Sequence, residues 1–438
     1  MLGLRDVCFD PMLSSYDYHP ISLMSTVPND REIVQAVVDI WRKDKATEKL
    51  GAAKLTGLVK LTHSDWQLSE KRVKTVMKAA NLGLNQEKFC YAGSIMSHAT
   101  PGLDMPEKVT LNIAKNRGKG LYAKKDIKKD EELWNEQAFL LVPPLEHVGI
   151  MRKGMGCAFC SRPFQSHNGV ECPSCAAKWC DNQCKKKDVT HVAMWHESRH
   201  GKVTRVEWRA FEDFCVENGW MALYALGLLW LRVIRDPKKD EVQKQMMAFA
   251  RVGQDERHKA VEQSNSLFAS EQSEVLWKKG YEMLDKLLLD TEFSYEKDFL
   301  PGLGMFNINN VDGNMYLTQS HLNHSCEPNV DVKNVGRTQG ISVRAKRDIK
   351  TGEELFTTYV NPEHQLDDRR YNLRVNWGFN CNCTRCKREE REEMEYLDEL
   401  VSNWTIEHKR KEMKEEKKER TRTRTRSVHF DKEPEVVA

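Results

Sequence analysis

Nine of the thirteen cysteines fall in two clusters, six between Cys157 and Cys184 and three between Cys381 and Cys386. No basic start followed by an apolar stretch opens the chain, so secretion is not expected, and clustered thiols in a reducing interior bind metal rather than pair. The first cluster runs Cys157-x2-Cys160, Cys172-x2-Cys175 and Cys180-x3-Cys184, then His196-x3-His200. Two residues between thiolates let both converge on one ion, and histidines four apart share a helix face. Eight donors suit two tetrahedral zinc ions and leave no coordination position open, which predicts a structural role. So short a stretch holds too little apolar material to fold unaided, so the metal supplies its folding energy. His191 stands as an alternative to His196 or His200. The second cluster, Cys381-x-Cys383-x2-Cys386, has three donors, and Cys326 in Asn323-His324-Ser325-Cys326-Glu327-Pro328-Asn329 is the candidate fourth. The total expected is about three zinc ions. Cys8, Cys90 and Cys215 read as packing residues.

The 438 residues predict two or three domains with a sizeable core. The longest apolar run, Trp220 to Leu231, is twelve residues and too short to cross a bilayer, so no membrane association is expected. Residues 1–29 read as an irregular arm. A helical module follows at 30–85, where Ile33, Val37, Val38 and Trp41 recur at helical spacing and Ser69 is placed to cap a last, basic helix. Strand-like alternation marks 105–150, the cysteine block 151–205, and Leu-, Ala- and Trp-rich helical spacing 206–300. Strand character returns from about 305 to 360 within a segment bounded at 301–379, a short zinc element occupies 380–387, and a charged tail fills 388–438. Ala123–Leu133 echoes Ala345–Leu355, each reading as strand, tight turn, strand. Similar hairpins therefore flank the cysteine and helical stretches, which read as an insertion in a β-rich domain. The fold class is α+β.

Four motifs in order resemble those of the SET-domain protein lysine methyltransferases. Arg117-Gly118-Lys119-Gly120-Leu121 is similar to the N-terminal cofactor motif of that family. Asn323-His324-Ser325-Cys326 with Pro328 and Asn329 is similar to its NHSCxPN motif. Gly352-Glu353-Glu354-Leu355 with Tyr359 resembles its GEEL…Y segment, and Phe379 with the cysteines after it resembles its post-SET element. The eight-donor block resembles the MYND zinc finger of the SMYD family, except that eleven residues separate Cys184 from His196 and His200 stands where cysteine is common. The likeness covers about 105–387 and implies a SET fold with its pseudoknot, split by a MYND-like finger and a helical insertion. The helical module at 30–85 has no counterpart in animal SMYD proteins, and the whole most resembles fungal SET/MYND enzymes that methylate histone H4 lysines.

The resemblance implies S-adenosylmethionine as methyl donor and a lysine amine as acceptor. Free lysine, with a pKa near ~10.4, is neutral in only about one molecule in a thousand near neutral pH, so the site must desolvate it. Tyr359 is implied as the catalytic hydroxyl that orients the amine. Arg117, Lys119, Gly120, Asn323, His324, Tyr359 and Phe379 are implied as cofactor-binding, with Phe379 on the adenine. Phe306 and Trp377 are implied as walls of the lysine channel, and Trp377 stands where many relatives carry tyrosine, which bears on methylation degree. Glu353 and Glu354 read as solvated turn residues rather than bases. Residues Lys409–Arg426 carry a net +6 against −3 for the rest, so the slightly acidic body suits a cationic protein substrate, and the resemblance implies a histone tail in that place. The basic run is a candidate nucleic-acid contact and nuclear localisation signal, with nucleus and cytoplasm as expected locations. Two alternatives stand beside this reading: a lysine methyltransferase acting on a non-histone protein, and a catalytically silent scaffold.

Overall fold

The computed structural model describes residues 26–80, 82, 89–97, 103–114, 118–165, 169–196, 205–262, 270–288 and 292–426. These fall into two units, one drawn from residues up to 87 together with those from 392 onward, the other from 88–391.

In the first unit, Asn29 opens α1 (Asp30–Lys43) with a reciprocal box. The Glu32 amide donates to Asn29 Oδ1 at 3.0 Å and the Asn29 amide to Glu32 Oε2 at 2.7 Å. Ser69 caps α3 (Glu70–Ala79) through the Arg72 amide at 3.2 Å, with α2 (Ala52–Thr62) between them. Ile33, Val37, Ile40, Leu55, Val59, Val73 and Met77 form the core, which also takes in Leu397. Val401 and Trp404 pack against the same core. The stretch expected as a charged tail therefore supplies the bundle with a fourth helix, its apolar side chains spaced four and three apart.

In the second unit, β1 (Val109–Ala114) and β2 (Gly118–Ala123) pair antiparallel with Leu111 opposite Leu121, and β3 (Glu132–Glu136) follows. The cysteine-rich insertion holds α4 (Val148–Arg152), β4 (Val170–Glu171), β5 (Lys178–Trp179), α5 (Asn182–Lys187) and α6 (His191–Trp195). A helical stretch comes next: α7 (Arg205–Glu217), α8 (Met221–Arg235), α9 (Lys239–Met246), α10 (Gln254–Glu262), α11 (Ser270–Leu287) and α12 (Leu300–Asn309). The chain returns through β6 (Asn310–Val311), β7 (Asn314–Met315), β8 (Asn323–His324), β9 (Val330–Gly336), β10 (Gly340–Ala345) and β11 (Phe356–Thr357). It ends with α13 (Leu366–Trp377) and α14 (Thr384–Arg426). Strands β3, β10 and β9 form an antiparallel sheet in that order, while β8 and β11 run parallel.

The internal echo pairs with itself. Ile127 and Ile349 exchange both backbone hydrogen bonds at 2.9 Å. Asp126 accepts from the Thr351 amide at 2.9 Å, as Asp348 accepts from Lys129 at 2.9 Å. Each repeat thus closes the turn of the other, and their side chains fill one β-sheet core with Leu121, Leu133, Val343 and Leu355.

The two inserted stretches share a single core: Trp179 and Cys157 are buried in the same cluster as Trp208, Phe211, Tyr224, Phe299 and Leu303. Helix α12 runs on to Asn309, past residue 305, the expected start of strand character. Leu300, Leu303, Met305 and Phe306 are all buried there, and a helix apolar on every side gives no periodic signal. Among the described residues, no helix is long and apolar enough to cross a membrane.

Candidate active site and zinc clusters

The centre of the site is the parallel pair that sets Phe356 opposite Asn323 and Thr357 opposite His324. Asn329 locks the crossing: it accepts from the Phe356 amide at 2.7 Å and donates to the Glu354 carbonyl at 2.8 Å. The chain leaves β11 with Tyr359, whose amide donates to His324 Nδ1 at 3.0 Å. His324 therefore carries its proton on Nε2, 3.4 Å from the Cys326 sulfur. Burial pushes its pKa down to about 4, so the ring is neutral.

The Tyr359 hydroxyl donates to the Leu322 carbonyl at 2.6 Å, which fixes the oxygen and leaves its lone pairs as acceptors. Burial, with the Glu354 carboxylate nearby, raises the phenol above its ordinary value. Trp377 packs 5.1 Å from the Tyr359 ring, its indole N–H donating to the Ile308 carbonyl at 3.2 Å, and Phe379 lies 6.0 Å from the His324 ring. Tyr359, Trp377 and Phe379 thus share one cluster with Cys326, Cys381, Cys383 and Cys386. Phe306 is not in it; it is buried in the core of the inserted helices, and Ile308 of the same helix meets Trp377 instead.

On the β2 side, Asn323 Nδ2 donates to the Lys119 carbonyl at 2.9 Å and to Glu354 Oε1 at 2.8 Å. A Cβ on Gly120 would lie 2.7 Å from that carboxylate oxygen and 3.0 Å from Asn323 Nδ2, so any side chain there would push Glu354 and Asn323 apart from their present contact. Lys119 is buried and donates from Nζ to the Ala248 carbonyl at 2.8 Å. Burial, with Arg251 nearby, lowers its pKa to about 8. Arg117 lies outside the described residues.

The cysteines gather as three four-donor groups: Cys157, Cys160, Cys180 and Cys184; Cys172, Cys175, His191 and His196; and Cys326, Cys381, Cys383 and Cys386. Within each group the donor atoms lie within 4.8 Å of one another. Tetrahedral zinc with bonds of about 2.3 Å sets its sulfurs roughly 3.8 Å apart. The sulfurs of Cys160 and Cys180 are 3.5 Å apart, and Cys326 is 4.0 Å from Cys381 and 3.5 Å from Cys386. His196 Nε2 lies 3.2 Å from Cys172 and His191 Nε2 3.5 Å from Cys175. Both histidines thus turn the same nitrogen inward, as ligands must, and burial keeps His191 neutral by lowering its pKa to about 4. The donor sets fit zinc, and four donors in each leave no position for a substrate. His191 stands with His196, while His200 lies outside the described residues. The first and third cysteine pairs share one site and the second pair shares the other with the histidines, an interleaving that braces the finger across itself.

Residues 157–360 match the SET domain family. Histone-lysine N-methyltransferase SET5 of Candida albicans is 40% identical over 400 residues, covering 86% of this chain and 84% of its own. The chain belongs to this SET5 family. The Scheffersomyces stipitis SET5 is 39% identical over 404 residues, covering 86% of this chain and 84% of its own. The Saccharomyces cerevisiae SET5 is 28% identical over 402 residues, covering 83% and 76%. A solved structure of Rubisco LSMT with sinefungin and monomethyllysine overlaps 64% of this chain and 53% of its own at 13% identity, with a TM-score of 0.26, too weak a likeness to argue from.

Two residues of this SET5-family site escaped the sequence. Glu354 is tied to Asn323, and no local feature of the sequence marks that contact across 31 residues. Arg369 on α13 is 1% exposed. It donates to Cys326 Sγ at 3.3 Å, to Cys386 Sγ at 3.7 Å and to the His364 carbonyl at 2.6 Å, and pairs with Glu389. Nothing in its sequence neighbourhood marks that role. Of the three cysteines expected as packing residues, Cys215 is buried, Cys90 is exposed, and Cys8 lies outside the described residues.

Proposed function

We propose that the chain transfers a methyl group from S-adenosylmethionine to a lysine of a histone tail, with Tyr359 orienting the acceptor amine. The bound cofactor supplies an electrophilic methyl on a sulfonium. The Tyr359 hydroxyl carries the reading: its proton is committed to the Leu322 carbonyl, so its oxygen is free to accept an amine N–H and aim the nitrogen lone pair. The raised pKa keeps the phenol protonated, which favours positioning over proton abstraction. Trp377 offers the amine a flat aromatic wall, and burial around the pair excludes water and favours the neutral amine. Lys119 and the backbone about Gly120 are the candidates for holding a carboxylate, with Asn323 set by Glu354 and Phe379 placed to stack. The three donor groups would hold zinc as braces, the third fixing the turn that carries Trp377 and Phe379.

A histone substrate is supported by membership of the SET5 family and implies a nuclear role. The silent-scaffold reading is disfavoured because Asn323, His324 and Tyr359 are joined in one hydrogen-bonded arrangement. On α14, residues 409–422 are exposed and largely basic, which suits contact with a nucleic-acid backbone close to the substrate. The test is label transfer from radioactive S-adenosylmethionine to core histones or nucleosomes beside a cell extract. Label on a histone supports the reading; label confined to a non-histone band discards the substrate.

A further inference from the structure

Chain segment 89–97 precedes the SET motifs and carries none of the motif residues. It runs under the Trp377-Gly378-Phe379 turn. Tyr91 is 1% exposed, and its hydroxyl donates to the Val375 carbonyl at 3.0 Å, with Arg257 beside it. The Ala92 amide donates to the Gly378 carbonyl at 3.0 Å. Gly378 closes α13 in the left-handed region at φ 78°, and a Cβ there would lie 2.5 Å from the Tyr91 ring. The ring therefore fills the space under that turn. Met96 and Arg251 exchange backbone hydrogen bonds at 2.8 and 2.9 Å, anchoring the far end of the segment to the inserted helices. Phe89 and Ile95 pack with Tyr91 against Val252, Ala260 and Ile308, and Ile308 is the residue whose carbonyl takes the Trp377 indole.

We infer that Tyr91 is a positioning residue for the methyl-transfer site, acting through Gly378 to set Trp377 and Phe379. This rests on the reading of function above. Beside the Trp377 indole's bond to Ile308, the turn is held from two sides: Cys381, Cys383 and Cys386 of the third donor group follow it in the chain, and Tyr91 supports it from beneath. Zinc alone would fix the chain only after Phe379. The flat ring beneath Gly378 sets the height of the two aromatic side chains on either side of it. The segment before the SET motifs is thus part of the active site rather than a tether to the helical bundle.

The experiment compares Tyr91→Phe, Tyr91→Leu and Tyr91→Ala in the full chain. It reads S-adenosylmethionine affinity by calorimetry, KM and kcat by label transfer, zinc content, and amide exchange of residues 376–380. Tyr91→Phe keeps the ring and is expected to stay within about fivefold of wild-type affinity, the effect of one neutral hydrogen bond. Tyr91→Leu and Tyr91→Ala are expected to weaken cofactor affinity and raise its KM about tenfold or more, with kcat at saturation less affected, zinc unchanged and faster exchange at 376–380. Wild-type affinity and exchange in Tyr91→Leu with zinc intact overturn the inference. So does loss of zinc together with binding in both variants, which would make Tyr91 a plain fold residue. If the wild-type chain itself binds no cofactor, the functional reading has failed, and exchange at 376–380 still decides whether Tyr91 holds the turn.

Discussion

Replacing Arg369 by methionine probes the third donor group from outside its ligands. Four thiolates on a divalent zinc leave the group with a net charge of about −2, and Arg369 is the cation placed against two of those sulfurs at 3.3 and 3.7 Å. Its side chain is 1% exposed, so water cannot replace it. Removing one member of a buried, hydrogen-bonded charge pair costs about 3–5 kcal/mol, and Glu389, a quarter exposed, relieves little of that. The share felt by the metal follows from outer-shell substitutions elsewhere, about 10–100-fold in affinity, or roughly 1.4–2.8 kcal/mol. Arg369→Met is therefore expected to speed the release of one zinc ion in three to a colorimetric chelator by about 10–100-fold, with the other two unchanged. Arg369→Lys should fall between, because it keeps the charge but loses the fork that reaches both sulfurs. Cofactor affinity should fall in step with that one ion, since Phe379 stands two residues before Cys381. Uniform release of all three ions, or none bound, refutes the reasoning.

Lys119 gives a pH prediction. Its pKa is lowered to about 8 by burial, from 10.5. In the free protein the unfolded chain binds more protons between these values, so this group's contribution to stability rises with pH across roughly 8–10.5. Binding a carboxylate runs the other way: S-adenosylmethionine affinity should be flat near pH 7 and weaken above about 8, and Lys119→Met should remove that dependence. An identical profile in the variant excludes Lys119 from the cofactor. In the helical unit, Leu397→Ala should destabilise that unit by about 2–5 kcal/mol in urea unfolding, since Leu397 is 2% exposed; a change below about 1 kcal/mol would return the helix to the role of a solvated tail.

Zinc chemistry was legible because ligand geometry constrains local spacing, and Cys-x2-Cys pairs are local. Which histidines join them was not, since His191, His196 and His200 all lie within reach along the chain, and the turn of α6 that brings His191 beside His196 leaves no mark in the spacing. The echo of Ala123–Leu133 in Ala345–Leu355 was visible as similarity, but its mutual pairing depends on a contact 222 residues apart between Ile127 and Ile349. Leu397, Val401 and Trp404 carried a helical period that the surrounding charge obscured. The surroundings of Phe306 were not legible because a motif maps order along the chain, while α12 sets that side chain in the inserted core and gives the Ile308 carbonyl to the Trp377 indole. Arg369 left no trace, because a buried arginine is defined by the sulfurs it faces.

The most direct test of the account is Tyr359→Phe, assayed for label transfer to histones and, separately, for S-adenosylmethionine binding and zinc content. Losing the oxygen that orients the amine should lower kcat by about 100-fold or more, while cofactor affinity and zinc stay at wild-type levels. Full transfer by the variant would contradict the account.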